Sequence, residues 1–199
     1  MKKIAVIGVN NRERMVITKA LSYIAGYDTV CKTDYAIQAI RYGFNQEIKM
    51  CKWQELFVYV LSSFSERIII EQHYDQFISN GGVLYELAMA KTILNQQTAN
   101  RRLLKEQAAM LAGTEKIITD YAKRQYDGFV YIENSMEKED VFPNELDGCI
   151  KSLISENGRV YKFRKDSVLA DILENISSEM KIPALVSSQT ALKKAQDEF

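Results

Sequence analysis

Short apolar runs that alternate with helical patterns constrain the fold of this chain more than any other feature. The first run, KKIAVIG at 2–8, is β-branched and apolar, ends at a glycine and precedes a helical pattern at 12–25. The same alternation continues along the chain, with further strands predicted at 28–31, 76–79, 127–133 and 159–164. Parallel strands joined by helices need cover on both faces. We therefore predict an α/β fold with a parallel sheet of about five strands.

The remaining helices are predicted from apolar spacing and from capping residues. Asp34 is the expected N-cap of a helix at 34–44, and a long helix follows at 52–74, where large apolar residues recur every three or four positions. Further helices are predicted at 83–94, 99–125, 143–157 and 167–180. We divide the chain into one domain at 1–182 and a polar C-terminal tail at 183–199, expected to be a short helix or disordered.

The balance of charge and the few cysteines exclude several classes of protein. Lys and Arg number 26, as do Asp and Glu, so the chain lacks the basic excess of a general nucleic-acid binder. The three cysteines form no CxxC pair and leave the lone His73 without zinc-ligand spacing, so no metal site is predicted. No run approaches the ~20 apolar residues of a membrane span. We expect a cytoplasmic protein without a nucleic-acid or membrane partner.

The segment GVNNRERM, residues 8–15, joins the first strand to the first helix, where phosphate-binding loops usually lie. Such a loop has the form GxxxxGK[ST]: backbone N–H groups surround the phosphates, the lysine reaches them and the hydroxyl holds magnesium. Gly8 matches the first glycine, but Glu13, Arg14 and Met15 replace the second glycine, the lysine and the hydroxyl. Arg14 keeps only the charge, and Met15 offers magnesium no hard oxygen. Efficient phosphoryl transfer is therefore not expected.

Two interpretations of this segment stay open from the residues alone. In the first it is a degenerate nucleotide loop, and the phosphate contacts come from Gly8, Asn10, Asn11, Arg12 and Arg14. In the second it is an ordinary polar turn, because a strand, a glycine and a helix follow one another in many α/β folds.

The stretch WQELFVYVLSSFSERIIIEQHYDQFISNGGVLYELAMAK at 53–91 resembles small P-loop kinase-like proteins. That group includes AAA-type ATPase and nicotinamide riboside kinase domains and, more distantly, deoxynucleoside kinases. The likeness covers most of residues 2–180 and depends on the order of elements and on the FISNGG turn. It implies a three-layer P-loop NTPase-like fold, with either no cofactor or a weakly bound ATP or other nucleotide.

In that family one strand ends in a Ser-Asp pair whose aspartate positions magnesium or the attacking hydroxyl. Ser79 and Asn80 match the pair here, and the amide keeps the shape of the acid but not its charge. A capping or turn role for Asn80 is therefore favoured over a catalytic one. The resemblance would make Arg67, Glu71 and Asn80 face a substrate. A solvated i,i+4 pair of Arg67 and Glu71 is nevertheless the commoner arrangement and is favoured.

Active members of the family also carry arginines in a mobile lid that follows the strand predicted at 127–133. The matching segment, 134–148, has no arginine. Its charges are mostly acidic, with Glu137, Glu139, Asp140, Glu145 and Asp147 against Lys138. The loop, the strand end and the lid all depart in the same direction, so no catalytic residue is predicted.

Three functions remain under consideration. The leading hypothesis is a catalytically impaired kinase-like protein that acts as a binding, scaffold or regulatory module, through self-association or an active relative. The first alternative is an active nucleoside or small-molecule kinase, or an ATPase, with relocated catalytic groups. The second is a magnesium-independent sensor of a nucleotide or small metabolite. The helix at 83–94 and the charged helix after it are a candidate dimer surface, although core burial explains their apolar residues equally well.

Overall fold

Strand β1 (Lys3–Gly8) is central in the sheet because it is apolar on both faces, and its side chains from Ile4 to Ile7 are completely buried. The computed structural model describes residues 2–31, 34–98, 105–133, 141–163 and 169–198. The other strands are β2 (Asp28–Val30), β3 (Phe77–Asn80), β4 (Gly128–Ile132) and β5 (Val160–Phe163). They pair in parallel in the order β2-β3-β1-β4-β5. The predicted parallel five-stranded sheet is confirmed.

Helices cover both faces of this sheet. They are α1 (Asn11–Ala25), α2 (Tyr35–Tyr42), α3 (Trp53–Glu71), α4 (Gly82–Thr98), α5 (Lys105–Gln125), α6 (Val141–Ser155), α7 (Leu169–Glu179) and α8 (Ser188–Gln196), with a 3-10 turn at Ile48–Met50. Asp34 caps α2 as predicted, because its carboxylate accepts a hydrogen bond from the backbone N–H of Ala36. Within the described ranges, no helix is both long and apolar enough to cross a membrane.

Alternate residues of β1 divide the core in two. Ala5 and Ile7 belong to the apolar cluster that contains residues of α3, α4, α5 and α6. Ile4 and Val6 belong to the cluster on the other face, which α1, α7 and α8 complete. Because side chains of a strand point to opposite faces in turn, the single run IAVI supplies both halves of the core.

The predicted boundaries differ from the observed ones mainly at helix ends. The long helix α3 ends at Glu71 rather than at 74, because the chain turns there before entering β3. Helix α4 continues to Thr98 instead of ending at 94, since the polar residues after Leu94 prolong it along the surface. Of the helix predicted at 99–125, residues 99–104 lie outside the described residues.

The apolar face of α4 is buried, and part of the C-terminal segment packs against the rest of the chain. Val83, Leu84, Leu87 and Ala88 of α4 are at most 2% exposed, so the prediction that this stretch forms a dimer surface is wrong. Its apolar residues fill the chain's own core. In the segment predicted as a polar tail, α8 packs on α1, and its small residues Ala191 and Ala195 are buried in that contact.

Candidate functional site

The turn after β1 is much shorter than a phosphate-binding loop. Only Val9 and Asn10 separate β1 from α1, so residues that would form the loop are already helical. The side chain of Asn10 caps α1, accepting a hydrogen bond from the backbone N–H of Glu13 at 3.2 Å. Gly8 is required by packing, because a Cβ there would lie 2.8 Å from the carbonyl oxygen of Ile132 in β4. The segment is a tight, capped βα turn.

Arg14 fills the space in front of this turn. Its Nη1 donates to the carbonyl oxygens of Gly8 at 2.5 Å and Val9 at 3.2 Å. Its Nη2 donates to Asn11 Oδ1 at 2.9 Å, and its Nε donates to Asn80 Oδ1 at 3.1 Å. These bonds use four of the five N–H donors of the guanidinium inside the chain, and the residue is only 4% exposed. The carbonyl groups at the end of β1 therefore face a cation that belongs to the protein.

An aromatic ring completes the surroundings of Arg14. Tyr85 of α4 lies against the guanidinium, whose carbon is 3.9 Å from the ring centroid. A cation over an aromatic face is attracted by the ring quadrupole, and more strongly where water is excluded. Arg14 thus connects α1 to β1, to β3 and to α4.

Asn80 at the end of β3 is held by α1 rather than by the helix that follows it. Its amide oxygen accepts from Arg14, and its amide nitrogen lies 2.7 Å from the Met15 sulfur. The left-handed turn predicted beside it is formed by Gly81 and Gly82, with φ of 89° and 59°. A residue with a Cβ does not fit at position 82, because the Cβ would lie 2.8 Å from that of Ala5. Asn80 therefore joins β3 to α1.

Arg67 and Glu71 are both completely buried, so the prediction of a solvated pair on α3 is wrong. Arg67 donates to Ser79 Oγ at 2.9 Å, to the carbonyl oxygen of Asn80 at 3.1 Å and to Glu86 Oε1 at 3.1 Å. Burial alone would lower the pKa of Arg67, but the carboxylate of Glu86 reverses the effect and raises it. Arg67 is therefore a permanently charged group inside the protein. It touches the same residue, Asn80, as Arg14 does.

Glu71 is surrounded by hydroxyl donors. Ser79 Oγ and Tyr121 Oη each donate to it at 3.1 Å, and Tyr126 Oη donates at 2.7 Å. Burial raises the pKa of Glu71, although the charge of Arg67 and these hydrogen bonds oppose the rise. Tyr126 also accepts from the backbone N–H of Val83 at 3.0 Å, which fixes the start of α4. The cluster thus sets the positions of α3, β3 and α4 relative to one another.

The structure joins most of the residues predicted as site residues. Gly8, Asn11, Arg14, Asn80, Arg67 and Glu71 belong to one connected hydrogen-bonded group. Asn10 lies beside it as the α1 cap. Arg12 lies elsewhere, on the rim of a separate cavity of about 380 Å³ that Val16 and Ile132 also line.

A second cavity, of about 300 Å³, opens beside Arg14. Its polar wall includes Arg14, Asn80 and Glu86, and its aromatic wall includes Tyr35, Tyr59 and Tyr85. This volume is at the lower end of the range for small-molecule sites, which combine apolar walls with a few fixed polar groups. Sequence reasoning missed Tyr85 and Glu86, which were assigned only to the helix at 83–94. The available signal was that Glu86 is the first charged residue in that apolar stretch.

The structure describes only part of the predicted acidic lid. Residues 134–140 lie outside the described residues. Glu145 and Asp147 belong to α6 and are bound there: Glu145 accepts from Gln96, and Asp147 accepts from Tyr131 and pairs with Lys151. Placing these two acids in a lid was therefore wrong. Among the side chains that the structure describes, no group of three or more His, Cys, Asp and Glu residues is arranged to hold a metal ion.

Comparison with solved structures supports the parallel five-stranded α/β fold described above. No family model matches the sequence, and no curated protein matches it with significance. Deoxyadenosine kinase from M. mycoides with bound dATP is similar, with a TM-score of 0.65 and 13% identity over 91% of this chain and 100% of that chain. The same enzyme with dCMP and a flexible dCDP gives 0.58 and 14%, over 90% of this chain and 98% of that chain. The chain thus has the fold of P-loop kinases: a parallel five-stranded sheet flanked by helices.

Proposed function

We propose that this chain is a catalytically impaired P-loop kinase-fold protein that acts as a binding, scaffold or regulatory module. The observation that carries the proposal is the position of Arg14. Its guanidinium fills the space in front of the turn after β1 and is held there by four hydrogen bonds. A polyphosphate in the same place would have to displace it.

The atoms around Arg14 have the wrong polarity for a phosphate. Phosphate-binding loops present backbone N–H groups, whereas Gly8 and Val9 present carbonyl oxygens. Two phosphate oxygens near these carbonyls would be repelled, and the N–H of Glu13 is already bound by Asn10. We therefore expect ATP to bind weakly or not at all.

The end of β3 supports the same conclusion. Phosphoryl transfer requires a group that orients or deprotonates the acceptor, and usually a carboxylate for magnesium. Asn80 has no acid function, and its amide oxygen is bound by Arg14. Of the nearby carboxylates, Glu86 is paired with Arg67 and Glu71 is surrounded by hydroxyl donors. Their present partners would have to be released before either could act on a substrate.

The cavity beside Arg14 favours a sensor as the second candidate function. Its aromatic and polar walls suit a nucleotide or small metabolite bound without magnesium. Thermal-shift measurements with nucleosides, nucleotides and dinucleotides test this candidate. A ligand at 100 times its dissociation constant would stabilise the fold by about 2.7 kcal/mol. Cys31 lines this cavity, so Cys31→Trp should fill the cavity and abolish the thermal shift caused by the ligand.

A kinase assay tests the main proposal. We expect no product above background with ATP, magnesium and a panel of nucleosides, and calorimetry should give a dissociation constant for ATP above about 1 mM with or without magnesium. Turnover at ~1 per second, within the range of ordinary kinases, would contradict the proposal. In that case Arg14→Ala should abolish activity and Arg12→Ala, at an exposed neighbouring site, should retain it.

A further inference from the structure

Helix α3 presents an uncharged stripe to solvent. The outward residues of α3 and its C-cap, each three or four positions after the last, are Gln54, Val58, Leu61, Ser65, Ile69 and Gln72. Val58, Leu61 and Ile69 are between 40% and 57% exposed. By contrast, the exposed face of α5 carries charges, at Lys105, Glu106, Lys116, Asp120, Lys123 and Arg124. A solvated helix normally has charged residues outward, so the α3 stripe has the composition of a covered surface.

Helix α2, which packs beside α3, also exposes apolar residues. Gln38 of α2 is turned inward, where it bonds to Glu66 and Ser63 of α3. Ile37 and Ile40 of the same helix are turned outward and are 52% and 75% exposed. This is the reverse of the usual arrangement in a helix that borders water. The isoleucines therefore give α2 an exposed apolar face of its own.

The α3 stripe is complementary to itself when a second copy runs antiparallel to it. A twofold axis near residue 63 places Gln54 opposite Gln72, Val58 opposite Ile69 and Leu61 opposite Ser65. The amides then meet amides, the branched apolar residues meet each other, and the large leucine meets the small serine. Such an isologous contact is the commonest form of dimer. The stripe contains no charge that would repel its copy.

We propose that the chain forms a twofold homodimer through this face, with α3 packed antiparallel against α3 of a second copy. The 19 residues of α3 give a contact about 28 Å long. The groove between α2 and α3 adjoins it on one side and carries one charge of each sign, since it is lined by Arg41, Tyr42, Ser62, Ser65, Glu66, Ile69 and Ile70. The proposal does not depend on the proposed function.

Sedimentation equilibrium of the full chain tests the proposal. The wild type should be a dimer at micromolar concentration. Val58→Glu and Ile69→Lys each put a charge into an apolar contact, so each should weaken dimerisation by at least about a hundredfold while the far-UV circular dichroism stays unchanged. Ile117→Glu is the matched control, because Ile117 is 61% exposed on α5, and this variant should remain dimeric.

Mixing the two weakened variants tests the register. In an antiparallel pair, position 58 of one copy faces position 69 of the other, so V58E and I69K together should form a heterodimer although neither self-associates. A wild type that is monomeric at about 100 μM, well above the micromolar range of specific complexes, would overturn the proposal. So would a V58E dimer as stable as the wild type, or a mixture that stays monomeric.

Discussion

Replacing Arg14 by alanine should destabilise the protein strongly, because this side chain connects four elements of the fold. The change removes four hydrogen bonds and the contact with Tyr85. A hydrogen bond to a charged group contributes about 1.5–3 kcal/mol, and a desolvated cation over an aromatic ring about 2 kcal/mol. The actual loss of unfolding free energy should be smaller than the sum of these contributions. Burying the guanidinium is itself unfavourable, and water from the adjacent cavity can reach the freed carbonyls.

We therefore expect a loss of about 3 kcal/mol in the free energy of unfolding, within the range for breaking a buried hydrogen-bonded network. Urea denaturation followed by circular dichroism measures this quantity, and in a chain of this size the midpoint temperature should fall by about 6–12 °C. Arg14→Lys keeps the charge but not the planar fork, so it should recover only part of the loss. Arg12→Ala, at an exposed position, should change stability by less than about 0.5 kcal/mol.

An unchanged stability of the Arg14→Ala variant would favour the alternative, in which Arg14 binds phosphate. If Arg14 were poised to bind phosphate, its loss would abolish nucleotide binding and leave stability nearly unchanged. A destabilisation below about 0.5 kcal/mol, equal to that of the Arg12→Ala control, would therefore refute the view that Arg14 is a structural tie.

Three further changes test the buried cluster and the C-terminal segment. Arg67→Ala leaves Glu86 without its cation and should cost about 3–5 kcal/mol of unfolding free energy, whereas Arg41→Ala on the surface should be neutral. The pKa of Glu71 is higher in the folded than in the unfolded state, so the folded state binds more protons and stability from this group falls as pH rises through the raised pKa. Glu71→Gln should flatten that part of the stability profile, and an unchanged slope would assign the pH dependence to other groups. A chain that ends at residue 182 lacks α8 and should unfold at a lower urea concentration than the full chain, because α1 loses its cover.

The sheet was predictable because its strands are short apolar runs that end at turn-forming residues. In the run at 2–8, for example, positions 4–7 are all apolar, as expected of a strand covered on both faces. The end of β3 was equally visible, since Asn80-Gly81-Gly82 breaks both strand and helix. Local sequence therefore determined the order of elements and the rim on which the site lies.

The chemistry of the site was less predictable because it depends on contacts distant in sequence. Arg67 and Glu71 are spaced as a surface pair, and only the contacts with Ser79 and Tyr126 show that they are buried. The missed signal lies on α3 itself: apolar residues occupy its exposed positions Val58, Leu61 and Ile69 as well, so its hydrophobic pattern does not assign the charged residues to the solvent side. The contacts of Arg14 within the chain were also not visible from the sequence. Its charge suggested phosphate, but a turn of two residues aims the carbonyls of β1 at it.

The neutral amide at the end of β3 suits the charges around it. Arg14 and Arg67 both contact Asn80, and Glu71 and Glu86 lie within the same network. With both glutamates ionised, two cations and two anions balance within the buried group. A carboxylate at position 80 would add an unbalanced negative charge, which in an active kinase magnesium offsets. The neutral amide keeps the group balanced without a metal, so Asn80 and the inward position of Arg14 are two parts of one arrangement.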